Sequence, residues 1–494
     1  MTAQTAKWMI MVYISADNLL ANFAVESLKQ LKRSAGDGIV VAGQLDASGN
    51  HGVRRYLFDG TGHKNSSLHN DLVPITEPQP SLRGIADPKN LTEFVDWALG
   101  ESKCAADHLC LILWGHGYEL LVDEDQPGLA GAAGRNYLTP KNLREALRRT
   151  KLSTRRLDII GIDACAMSLV ELATELQNCA DYMIASQEDV PDLSFPYEEM
   201  LSQLKKRNLD DVEGICEAIP KLYKQAYQDY FATPGSGIGE RTLTCLRLRQ
   251  VSSVVDPLKQ LATALNATAF DRDLGTKVLK ARRKTRDFAL GMFVDLYDFC
   301  SKLVESEPGD ALTNACKAVC GAIDASQAEL KLNFKPDQPG SKSGSESRPC
   351  ILENQTSENG QSRCHGLSIY FPYFTKEDRR KVQESLEAGP KTADVQLPMQ
   401  TTQTKGGPLH LEKGGPLHLD KARGARIAEM ESDFAALERF QADTGWGKFI
   451  QQSWSYILAT QEPKSDDLDM CYSGEQCAKN LAAMVQPKSR RASA

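Results

Sequence analysis

Two short segments hold the residues best suited to do chemistry. One is Trp114-Gly115-His116-Gly117, at the end of an apolar run over 109–114. The other is Asp163-Ala164-Cys165-Ala166-Met167, at the end of a second apolar run over 157–162. Both runs read as strands, and in open α/β sheets ligands bind beyond the carboxyl ends of strands. If the two strands are neighbours, an imidazole and a thiol meet at one edge of the sheet. A thiol beside an imidazole ionises readily, and the thiolate is the stronger nucleophile. Glycines flanking His116 let a substrate backbone approach and free an N–H to face a developing oxyanion. A lone histidine or cysteine is more often structural, and most of the 13 cysteines must be. It is the placement of both residues at strand ends that singles them out. An acidic residue at a strand end, such as Asp163, serves equally well as a capping group, and the residues alone leave its role open.

The elements that must position these groups follow from periodicity. Continuous apolar runs at 8–14, 39–45, 109–114, 157–162 and 182–185 predict strands covered on both faces, with 53–58 a further candidate. Helical spacing over 20–31, 91–99, 143–147 and 167–176 places helices between them. Strands alternating with helices over the first 200 residues predict an α/β fold with a mainly parallel sheet and right-handed crossovers. Residues 201–375 read as a more helical extension packed on that core, with strand-like pieces at 242–248 and 367–371. Between those pieces, 338–361 is rich in Gly, Ser and Pro and reads as a mobile loop. Residues 376–430 read as a flexible insertion. They carry a tandem repeat, Lys405-Gly-Gly-Pro-Leu-His-Leu-Glu412 followed by Lys413-Gly-Gly-Pro-Leu-His-Leu-Asp420. Two short copies cannot build a solenoid. A final helix over 431–460 and a polar, disordered tail over 461–494 complete the expected organisation.

The two chemical segments together resemble the catalytic motifs of the clostripain family of cysteine peptidases, relatives of caspases, legumains and gingipains. The resemblance spans roughly 8–455, with further matching landmarks. These are Met11-Val-Tyr13 with Ala16-Asp-Asn18, Ala185-Ser-Gln-Glu188, Phe195-Pro-Tyr197, Val294-Asp-Leu-Tyr-Asp298, His365-Gly-Leu-Ser-Ile-Tyr-Phe-Pro372 and Thr444 with Trp446. It implies a caspase-like sheet sandwiched by helices, a Cys165–His116 dyad, and an oxyanion hole from the backbone N–H groups of Gly117 and Cys165. It also implies cleavage after Arg or Lys, with carboxylates in the specificity pocket. Asp163 matches the position two before the nucleophile. A second acid is expected before Phe195, where Asp192 lies in Pro191-Asp-Leu-Ser194, a departure from the family's glycine-containing pattern. Family members are often cut between the two motifs. Arg135 is the only Lys or Arg between His116 and Lys141, in a run of small residues, and is the expected self-cleavage site.

Composition is consistent with this reading and excludes little else. A net charge of -7 over 494 residues argues against general affinity for nucleic acid or acidic membranes. No signal peptide or membrane-length apolar run is legible, so a cytoplasmic monomer acting on peptides or proteins is expected. An odd number of scattered cysteines reads as reduced thiols. Cys316/Cys320 and Cys471/Cys477 lack zinc-site spacing and read as a helix face and a polar tail. Gly235-Ser-Gly-Ile-Gly239 follows no strand and lacks dinucleotide-binding spacing. Asp123-Glu-Asp-Gln-Pro-Gly128 lacks the closing Glu of an EF-hand, position 134 being Gly. Some members of the family depend on calcium; this chain offers no site to assign, and no cofactor is expected. The competing function is a catalytically idle relative that binds or scaffolds at the same sheet edge, and the intact His116 and Cys165 motifs favour the enzyme. A nucleotide-binding α/β protein is a third option, which the lack of a phosphate loop disfavours.

Overall fold

In a computed structural model of the chain, the apolar run of the first strand lies at the heart of the sheet. Both its faces are buried: Met9, Met11 and Tyr13 on one, Val12 and Ile14 on the other. The structure describes residues 6–16, 20–47, 53–60, 72, 87–101, 106–117, 138–191, 194–227, 241–267, 272–288, 292–323, 349–356, 363–371, 438–450 and 452. Strands β1 (Ala6–Ala16), β2 (Ile39–Ala47), β4 (Ala106–Trp114), β5 (Leu157–Asp163) and β6 (Ala180–Ala185) are parallel and ordered β2-β1-β4-β5-β6. Antiparallel strands extend both sides: β3 (Arg54–Phe58) beside β2, then β7 (Thr242–Arg247) and β10 (Ile351–Thr356) beyond β6. Parallel neighbours require crossovers, and these are the helices.

Helices cover both faces of this sheet. On one lie α1 (Ala21–Ser34), α5 (Tyr197–Leu204) and α6 (Val212–Ala226), whose apolar sides share a core with Trp8, Ile10, Val12 and Ile14. In α1 the buried Ala24, Leu28 and Leu31 recur at helical spacing. On the other face, α2 (Pro88–Glu101) brings Phe94 to 5.6 Å from the Tyr13 ring, followed by α3 (Pro140–Arg149) and α4 (Val170–Leu176). Helix α3 has its start set by Pro140 in the first turn and by Thr139, whose hydroxyl accepts from Asn142 N at 3.1 Å. Further along are α7 (Ser252–Ala267), α8 (Arg272–Lys284), α9 (Leu296–Glu305) and α10 (Asp310–Ile323), with α11 (Glu438–Thr444) against α7 and α4. A second, antiparallel sheet joins β8 (Asp287–Phe288), β9 (Phe293–Asp295) and β11 (Ser368–Tyr370).

Several expectations need correction. Residues 201–375 do not simply pack on a finished core, because β7 and β10 are strands of the main sheet itself. Residues 1–372 and 437–452 form one compact unit. Strand β10 lies inside the stretch read as a mobile loop; its Ile-Leu-Glu-Asn-Gln-Thr sequence is that of an edge strand with every residue half-buried, which shows little alternation. The helix after Cys165 begins at Val170 rather than near Met167, because the backbone at 166–169 is bound elsewhere. The second unit, 373–436 with 453–494, lies outside the described residues, and with it the tandem-repeat insertion and the tail.

Candidate active site

Register brings the two motifs together. Strands β4 and β5 are adjacent and parallel, and Trp114 pairs with Asp163. His116 and Cys165 therefore leave the sheet two residues beyond the same level, on strands about 4.8 Å apart. Gly115 N donates to Asp163 O at 3.2 Å and carries the pairing one step past the strands. Beyond it, Gly117 lies so close to the Cys165 backbone that a Cβ there would overlap its carbonyl oxygen and nitrogen. Only glycine allows this approach, and it places the Gly117 and Cys165 peptides side by side.

A tight turn presents Cys165. Ala166 has φ 55°, a left-handed conformation uncommon for a residue with a side chain. The turn is held by Ala166 N donating to Glu188 O at 3.1 Å and Ser168 N to Ser186 O at 2.8 Å. Ser168 Oγ donates to Gly366 O at 2.6 Å, and Ser168 O accepts from Ser368 N at 2.8 Å. These bonds hold 166–169 out of helical geometry and delay α4 to Val170. Val190 faces the sulfur from the run after β6: its N–H donates to Cys165 Sγ at 3.3 Å, and its carbonyl lies 3.8 Å from Sγ.

Burial sorts the thiols. Ten cysteines fall among the described residues and none of these is in a disulfide; eight are buried, and Cys165 and Cys179 are half-buried. Loss of solvation pushes Cys110 and Cys350 up to about 12 and raises Cys216 and Cys300 well above the ordinary thiol. Such groups stay protonated and inert at neutral pH. Cys316 and Cys320 are buried on α10, as the helix-face reading expects. His116, like Cys165, is half-buried.

Asp163 is 3% exposed and fully engaged on one oxygen. Its Oδ2 accepts from Phe195 N at 3.1 Å, from Tyr197 OH at 2.5 Å and from Ser194 Oγ, which itself accepts from Trp114 Nε1 at 2.5 Å. Its Oδ1 is buried and finds no hydrogen-bond partner among the described residues. Burial raises its carboxyl to about 6, against the lowering effect of the Ser194, Tyr197 and Phe195 donors. Ser194 has φ 68°, a second non-glycine residue in the left-handed region at this site. Ser194 and Tyr197 thus work with Asp163; the Phe-Pro-Tyr motif was the one trace of this in the sequence. Asp192 and Arg135 lie outside the described residues. Among the described residues no group of three or more His, Cys, Asp or Glu is arranged to hold a metal ion. No helix among them is long and apolar enough to cross a membrane.

A mainly parallel sheet sandwiched between helix layers is the architecture of the caspase-like fold, and His116 and Cys165 stand at the ends of two adjacent strands of it. The sequence matches the clostripain family over residues 12–454, and the chain belongs to that family. No curated protein matches the chain. Among solved structures it is similar to an inactive zymogen C11 protease from Parabacteroides distasonis. That protein is 18% identical with a TM-score of 0.51, over 75% of this chain and 94% of the other. It is also similar to a secreted C11 cysteine protease from Bacteroides thetaiotaomicron in complex with an irreversible peptide inhibitor. Here the identity is 17% and the TM-score 0.49, over 74% and 93% of the two chains. At these identities the first likeness shows the fold.

Proposed function

We propose that the protein is an endopeptidase that cuts after basic residues, Arg before Lys, with Cys165 as nucleophile and His116 as its base. The observation that carries this reading is the shared level of the two strand ends, which sets the His116 and Cys165 loops against each other. In the first step His116 takes the thiol proton and Cys165 Sγ attacks the scissile carbonyl. The N–H groups of Gly117 and Cys165 face the oxyanion. His116 then protonates the leaving amine, and water releases the acyl group by the reverse sequence.

Asp163 is the group best suited to recognise a guanidinium. Its buried Oδ1 accepts nothing among the described residues, and a planar cation would satisfy it through charge-assisted bonds. Its burial means that the segment carrying Ser194 and Phe195 must shift to admit the substrate side chain. Asp192 stands in that segment as the second acid of this reading.

The deciding experiment is hydrolysis of Arg, Lys, Asp and Asn reporter peptides by the full chain, with Cys165→Ala alongside. Arg should be cut fastest, Lys next, and the variant should be inactive yet folded. Preference for Asp or Asn would discard the pocket assigned to Asp163. A folded wild type that cuts none of the four and resists an Arg-bearing thiol-reactive peptide would favour the idle binding protein.

A further inference from the structure

The run Ser186–Val190 reaches the nucleophile turn at three points. Ser186 O accepts from Ser168 N at 2.8 Å, Glu188 O accepts from Ala166 N at 3.1 Å, and Val190 N donates to Cys165 Sγ at 3.3 Å. The run is itself fixed from the far side. Gln187 is 1% exposed and its amide is fully used. Oε1 accepts from Gly366 N at 2.7 Å, while Nε2 donates to Asp295 Oδ2 at 3.0 Å and to Ser368 Oγ at 2.9 Å. Asp295, wholly buried, also accepts from His365 N at 2.6 Å and Asp298 N at 2.8 Å, and pairs with His365 Nδ1 at 3.0 Å. Three sequence landmarks without a chemical role, at 185–188, 294–298 and 365–372, therefore converge on one side chain.

We propose that Gln187 is a positioning residue for Cys165: clamped by Gly366, Ser368 and Asp295, it fixes the 186–190 run so that the Val190 N–H stays on Sγ and favours the thiolate. The inference rests on Cys165 being the reactive thiol of the proposed function. An N–H aimed at sulfur stabilises the ionised form more than the neutral one, as any donor to an anion does. A buried and satisfied polar network holds one geometry, because each alternative leaves a group unpaired in a medium of low dielectric. The titratable and charged groups about the run and the sulfur are Glu188, ion-paired with Arg286; Asp189, whose carbonyl accepts from the Arg241 guanidinium; Asp295 with His365; His116 on the neighbouring strand-end loop; and Tyr223 of α6, buried and electrostatically linked to Cys165. Replacing Gln187 changes the charge of none of them.

The test is the pH dependence of Cys165 alkylation by iodoacetamide in the full chain, read by peptide mass spectrometry with Cys179 as internal reference. Gln187→Leu should slow Cys165 at pH 6 by about fivefold, the worth of one net hydrogen bond, and move its profile to higher pH. Cys179 should not change, and kcat should fall with KM nearly constant. Leu303→Ala, a cavity variant in the buried side of α9, should lower the melting temperature and leave the Cys165 profile in place. Should Gln187→Leu not fold, Ser368→Ala, which removes one acceptor of Nε2, must give a smaller shift in the same direction. An unmoved profile in a folded Gln187→Leu, or an equal shift from Leu303→Ala, overturns the proposal. Alkylation needs no peptide substrate, so failure of the peptidase reading leaves this result interpretable.

Discussion

At Asp163 burial and hydrogen bonding pull in opposite directions, and burial prevails. A carboxyl raised from 3.8 to about 6 holds its proton in the folded chain over a range where the unfolded chain has released it. Its contribution to stability is therefore full below pH 3.8 and is lost as pH rises through about 6. Asp163→Asn should remove that slope. Relative to wild type it should gain on the order of 2–3 kcal/mol between pH 4 and pH 7, read from urea midpoints at both pH values. The same variant should lose about 100-fold or more in kcat/KM on Arg reporters, because a neutral amide cannot pair with guanidinium as a carboxylate does. Retained Arg cleavage would reduce Asp163 to the capping role that the residues alone left open. At the dyad, Cys165→Ala and His116→Ala should each lower kcat by about a thousandfold or more without unfolding the chain, checked by circular dichroism and reporter hydrolysis.

At the scale of elements, the site depends on how loops leave adjacent strands. Gly117 stands where a Cβ would overlap the Cys165 carbonyl, so Gly117→Ala must push the β4 and β5 loops apart. A shift of about 1 Å is enough to cost roughly 100-fold in rate. The variant should lose that much activity while Asp163, on the strand itself, still titrates as in wild type. Helix α4 supplies a second test. Glu171, 2% exposed in its first turn, accepts from Tyr370 N of β11 at 2.7 Å through Oε1, and burial raises it from 4.5 to about 7. The stability it provides is complete below pH 4.5 and disappears as pH rises through about 7. Glu171→Gln keeps the carbonyl acceptor and should make the melting temperature at pH 8 rise by a few degrees over wild type, with about no difference at pH 4. An identical pH dependence in the two proteins would mean that burial does not raise the Glu171 carboxyl.

For the whole molecule, the question is which parts of the chain the catalytic body needs. Residues 376–430 lie outside the described residues, and their composition lacks the periodic apolar face of a core element. Deleting the tandem repeat should leave the melting temperature within about 2 °C of wild type; a large fall would show that the repeat packs on the core. Self-processing is the other event at this scale. Cleavage after Arg135 should give fragments of about 15 and about 39 kDa at roughly 110 Da per residue, the larger beginning at Asn136. Cys165→Ala and Arg135→Ala should both remain single chains on a denaturing gel. Another start, or an active enzyme that never splits, removes Arg135 from the mechanism.

The sequence by itself determined the central strands and the residues at their ends. A strand covered on both faces must be apolar throughout, so β1, β4 and β5 are legible without any contact being known. Their ends at Trp114 and Asp163 then point to His116 and Cys165. Edge strands and very short strands carry no such signature: the edge strand β10 is half-buried and polar, and β8 and the central β9 of the small sheet are two and three residues long, too short for any period to show. Tertiary structure alone decided that β4 and β5 are neighbours in register, because hydrogen bonds between parallel strands join residues that the sequence keeps far apart. It alone paired Asp163 with Ser194 and Tyr197, about 30 positions on. And it alone brought Gln187 to Asp295, 108 positions away, since a polar side chain in the core takes its partners from whichever segments packing brings beside it.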